Sequence, residues 1–141
     1  MVKKVSVITV LLSIGILLVC CKSKEKGLTS VENEYQEILE LNLATYCSFE
    51  YGDNGGLVYL EDVKESGIAA CGNFSRQLAY DLRRKGYDCD LVGVRSWYMD
   101  AIHVMVEVTI PGKTYLLDPS NGLYYPNRIE ELIEDPALSK Q

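Results

Sequence analysis

Three side chains in this chain have the types needed to attack an acyl carbon. Cys71 stands in "GIAACGNFS", His103 in "IHVMVEV" and Asp118 in "YLLDPSNGLYY". A thiol nucleophile needs a base to take its proton, and the base needs a partner to orient it. His103 is the single histidine, so the base has one candidate. Each residue also has an ordinary structural role open to it. A cysteine among alanines and glycines packs as a small core residue, a strand histidine can be a satisfied polar group, and Asp-Pro commonly makes a turn.

The elements around these residues decide whether they can meet. "CGNFSRQLAYDLRRKG" reads as a helix with an apolar stripe of Phe74, Leu78, Ala79 and Leu82. Arg83, Arg84 and Lys85 suit its negative end, and Gly86 suits the position just past it. Cys71 then opens the helix, where unpaired N–H groups and the helix dipole favour a thiolate. "YDCDLVGVRS" and "IHVMVEVTI" have the period of strands. In the second, Ile102, Val104, Val106, Val108 and Ile110 share one face, and His103, Met105, Glu107 and Thr109 share the other. Pro111-Gly112 makes a tight turn into the strand "KTYLLD". If that loop has two residues, Ile110 pairs with Lys113, and His103 and Asp118 become diagonal neighbours on one face. A three-residue loop would reverse the parity.

A further helix is expected near residues 30–45, where Val31, Tyr35, Ile38 and Leu39 recur at helical intervals. "YGDNGG" and "PSNGLYYPN" read as loops, and a short helix is expected near 128–134. Helices followed by an antiparallel sheet make an α+β domain over residues 30–141.

The start of the chain has another character. Two lysines precede the mostly apolar run "VSVITVLLSIGILLV". These are the parts of a secretory signal, and the run is shorter than the ~20 residues of a membrane helix. An uncleaved anchor is the other reading. "LLVCC" resembles a bacterial lipoprotein signal, with residues 1–20 removed and Cys21 lipidated. Cys20 is the alternative lipid site. Residues 21–29 then form a tether, and the protein is expected outside the cytoplasm on an envelope membrane.

Losing Lys3 and Lys4 with the leader changes the formal net charge from −6 to −8. Such an acidic domain would repel phosphates, which argues against a nucleic-acid partner. Membrane attachment would come from acyl chains alone. Of the five cysteines, Cys47 and Cys89 could pair after export and leave Cys71 free. One histidine and no CxxC leave too few natural ligands for zinc, and the chemistry considered needs no cofactor.

Residues 67–125 resemble the transglutaminase-like superfamily, whose core is a rearranged papain-like fold. The shared pattern is a glycine-flanked cysteine opening a helix, a histidine opening a strand, and an aspartate ending the next strand before proline. The resemblance implies Cys71 as nucleophile, His103 as base and Asp118 as its orienting acid. Many members have a small residue and a tryptophan after the histidine, where this chain has "VM". Many have threonine after Asp-Pro, where this chain has Ser120.

The implied activity is transfer of an acyl group from a protein or peptide through a thioester, to water or to an amine. The Cys71 N–H would be one oxyanion donor, with Tyr51 or Tyr59 as candidates for a second. For these tyrosines, as for Tyr124 and Tyr125, packing at the rim of a small core is the competing role. The alternative function is a catalytically inactive lipoprotein of the same fold that binds or docks a partner.

Overall fold

A computed structural model describes residues 30–95 and 102–140. The expected leader, lipidated Cys21 and tether lie outside the described residues. In chain order the elements are α1 (Ser30–Tyr46), β1 (Glu50–Tyr51), α2 (Leu60–Ser66), β2 (Ile68–Ala69) and α3 (Cys71–Arg84). Then come β3 (Asp88–Arg95), β4 (Ile102–Ile110), β5 (Lys113–Asp118), β6 (Leu123–Tyr125), α4 (Ile129–Glu134) and a closing 3-10 turn (Pro136–Lys140). β3 to β6 form an antiparallel sheet in chain order, and β1 and β2 make a separate parallel pair. The domain is therefore α+β.

The α3 stripe behaves as its spacing requires. Leu78, Ala79 and Leu82 are buried together with Ile38 of α1 against Cys89, Val106, Val108, Ile110, Tyr115 and Leu117 of the sheet. α1 and α3 thus cover one sheet face. α1 is also fastened at its side, where Glu37 accepts hydrogen bonds from Lys85 at 2.7 Å and Tyr87 at 2.5 Å. Tyr35 stacks on Tyr115 at 5.1 Å and meets Tyr124 edge-on. Burial and the Tyr124 hydroxyl push the Tyr35 phenol up to about 12. A smaller cluster of Val63, Ala69 and Phe74, flanked by Phe49 and Leu57, joins α2 and β2 to the start of α3.

Several expectations need correction. The apolar face of β4 is not uniformly buried. Val106 and Val108 are fully buried, Val104 only in part, and Ile102 is 61 % exposed. Its side chain leans over Gly93 of the neighbouring strand, so close that a Cβ on Gly93 would lie 3.2 Å from it. On the opposite face Met105 and Leu116 are buried too, so this face is not simply solvent-facing. Part of "PSNGLYYPN" is strand, because Leu123–Tyr125 pairs with Leu116–Asp118. α2, β1 and β2 did not stand out in the sequence. Cys47 and Cys89 are unpaired: Cys47 is exposed, and Cys89 lies in the core with its thiol 3.7 Å from the Ala79 carbonyl.

Candidate active site

Cys71 is the first residue of α3. Ala70 before it is extended, and its carbonyl accepts the N–H groups of Asn73 at 2.9 Å and Phe74 at 3.2 Å. Asn73 fixes this start from the side. Its Oδ1 accepts the Ala70 N–H at 3.1 Å, half of a capping box. The same oxygen accepts from Asn54 at 2.7 Å, and Asn73 Nδ2 donates to the Leu57 carbonyl at 2.9 Å. The helix start is thereby tied to the loop between β1 and α2. The N–H groups of Cys71 and Gly72 lie in the first turn, where the helix itself offers no acceptor. A Cβ built on Gly72 meets nothing within 4 Å, so this end of the helix is open to approach.

α3 is hooked to the start of β4 at two points one turn apart. Ser75, fully buried, donates to the Val104 carbonyl at 2.7 Å. The Cys71 thiol lies 3.8 Å from the Ile102 carbonyl. These carbonyls flank His103 along the strand. Among the described residues no hydrogen bond joins the thiol to the imidazole; the sulfur rests on the residue immediately before it.

His103 and Asp118 come from the hairpin. Ile110 pairs with Lys113, so Pro111-Gly112 is the two-residue loop the parity argument required, and the register runs regularly to Val106–Leu117. Continued one step, it places Asp118 opposite Met105 and diagonal to His103. His103 Nε2 lies 2.8 Å from Asp118 Oδ2. The imidazole is about one-third exposed, whereas the carboxylate is 5 % exposed.

A carboxylate this buried needs compensation, and it has it. Asn121 Nδ2 donates to Oδ2 at 2.8 Å and Ser120 donates to Oδ1 at 2.8 Å. Burial alone would raise the Asp118 pKa. The hydrogen bonds from Asn121, His103 and Ser120 outweigh it and hold the acid below its ordinary value. As an ionised carboxylate, Asp118 can only accept. The bonded Nε2 therefore carries the proton, and Nδ1 is the nitrogen available to a thiol.

Ser120 and Asn121 were not singled out as site residues from the sequence. "DPSNG" read simply as a turn, yet Asp, Ser and Asn within four positions are the residues that bond back to one another locally. Ser75 was missed for a different reason: its bond is to a distant strand, and nothing in its own helix marks it. Tyr51 and Tyr59 are 61 % and 71 % exposed. Tyr51 stacks beside Phe74 at 6.3 Å, which is a packing contact.

Fold and site together define a class: an α+β domain whose cysteine opens a helix beside a histidine–aspartate pair on a β-hairpin. Comparison with protein-family models, with curated proteins and with solved structures found no match to this chain.

Proposed function

We propose that the chain is a cysteine-dependent acyl-transfer enzyme of the transglutaminase-like kind, exported and held on an envelope membrane through lipid on Cys21. The observation that carries this reading is the buried Asp118 carboxylate, bonded to the sole imidazole and kept ionised by two further donors. In the reaction, His103 Nδ1 takes the Cys71 proton, and sulfur bonds to the acyl carbon of a peptide amide. The same imidazole returns the proton to the leaving nitrogen as the C–N bond breaks. The thioester then passes its acyl group to water or to an amine. Asp118 stabilises the imidazolium between these steps, and the Cys71 N–H, with that of Gly72 beside it, faces the developing oxyanion.

The resting thiol supports a second reading. It hydrogen-bonds a backbone carbonyl rather than the imidazole, as an inert thiol in a partner-docking module would. Alkylation by iodoacetamide at neutral pH separates the two, with exposed Cys47 as the internal reference. An enzyme should alkylate Cys71 about tenfold or more faster than Cys47, and His103→Ala should remove the difference. Equal rates at both cysteines would leave the docking module as the better description. Cys89 should stay silent in the folded protein, since burial pushes its thiol up.

A further inference from the structure

A groove of about 500 Å³ lies between Tyr46, Phe49, Tyr51, Phe74 and the Ser120–Asn121 turn. We propose that it receives an aromatic side chain of the peptide whose acyl group is transferred; the assignment of that peptide as acyl donor rests on the function proposed above.

The groove borders the Asp118 half of the site and adjoins the helix start that carries Cys71, although neither Cys71 nor His103 lines it. Ser120 and Asn121 line it while their side chains hold Asp118. Phe74 lies one helical turn from Cys71, and Tyr51 pairs across the parallel strands with Ala69, two residues before the thiol. A peptide with one side chain seated here has only a short distance to run to reach the helix start that carries the thiol. The walls are ring faces set in place. Phe49 meets Phe74 edge-on at 5.5 Å, and Tyr51 lies nearly parallel to Phe74. The Tyr46 ring rests against Gly122, where a Cβ would come within 3.2 Å of it. Tyr46 and Tyr51 nonetheless remain 44 % and 61 % exposed, so their rings still have apolar surface to bury.

No lining side chain is charged. An acidic side chain would lose water without gaining a cationic partner, in a protein that is itself negative. An aromatic side chain gains ring contacts that a similar aliphatic one does not.

The test is an NMR titration of the full-length chain carrying Cys71→Ala, which binds without turnover. The probes are acetyl-Gly-Phe-Gly-amide and its Leu and Glu counterparts. The Phe peptide should bind about tenfold more tightly than the Glu peptide, with Leu between, and should shift the amides of Tyr51 and Asn121. Tyr51→Ala should weaken the Phe peptide about fivefold or more, while Tyr51→Phe, which keeps the ring, should bind normally. Equal affinities for the three peptides, indifference to Tyr51→Ala, or no shift at the groove each overturn the proposal. Such a failure would leave fast alkylation of Cys71 untouched. Slow alkylation with peptide binding retained would instead overturn the enzymatic reading, and with it the role of the peptide as acyl donor, while leaving the groove as its binding site.

Discussion

Asp118 has three donors on two oxygens, and that allocation governs what replacing it should do. An asparagine can keep its oxygen toward His103 and Asn121 and turn its NH₂ to Ser120, whose hydroxyl can accept as well as donate. Asp118→Asn should therefore fold, but with its amide turned the other way it favours the wrong imidazole tautomer. It also lacks the charge that stabilises the imidazolium. If the triad works as proposed, thiol acylation should fall steeply, by up to about 10⁴, as measured by single-turnover thioester formation. Adding His103→Ala should cost little more than the worse single change, because such groups act as a unit.

The same residue sets an acid limb of stability. Its pKa is lower folded than unfolded, so its contribution is present above the unfolded value and is lost as pH falls through the folded one. Urea unfolding of the parent should thus weaken below about pH 4, and Asp118→Asn should flatten part of that decline. The pairing of His103 with Asp118 was legible beforehand because strand parity and a two-residue loop dictate it. The two donors behind Asp118 were not, since their positions depend on how the chain turns after Pro119.

At the scale of elements, the α3–β4 contact matters most, because it alone relates the thiol to the imidazole. Ser75→Ala removes a buried hydrogen bond at a net cost of about 1 kcal/mol. It should lower Cys71 alkylation more than that small loss of stability explains, because the helix start is then less firmly fixed along β4. Thermal melts and alkylation rates on the same sample check this. Gly122→Ala should act from the other side. The position has φ 67° and is packed against Tyr46, so a methyl group is opposed both by the backbone and by the ring. The resulting shift of the Ser120–Asn121 turn should appear as a changed histidine side-chain NMR signal in a protein that still folds.

α1, α3, β3, β4, β5 and the short α4 were readable, because each has a sustained period or clear end signals. β6 has three residues and β1 and β2 two each, which is too short for any period to show. They exist because neighbouring strands offer them hydrogen bonds, and that is information the local sequence does not hold.

Among the described residues, two clusters divide the labour. The larger joins α1 and α3 to the sheet, and Ile38→Ala within it should cost about 2–5 kcal/mol and threaten the fold as a unit. The smaller surrounds Phe74 beside the candidate site. Phe74→Ala should cost about 3–5 kcal/mol, with amide exchange rising first around residues 49–74 rather than in β4 and β5. This division could not be read from the chain alone, because the five residues of the smaller cluster come from five different elements and loops between residues 49 and 74. The α+β class could be, since it needs only the order of elements.

The hairpin carries a consequence for the birth of the protein. His103, Asp118, Ser120 and Asn121 lie within one stretch of nineteen residues, in one strand pair and the turn that follows it, so they can come together through short loops as soon as that stretch is made. Cys71 is synthesised before any of them. While the chain is growing from its N-terminus, the thiol has no imidazole within reach and is chemically idle. On the proposed function, it gains its base only when the hairpin has closed and docked on the helix. A reactive cysteine carried on an unfinished chain would be a hazard to its own neighbours. If Cys71 is the nucleophile proposed above, the order of residues along the sequence withholds its reactivity until the fold is complete.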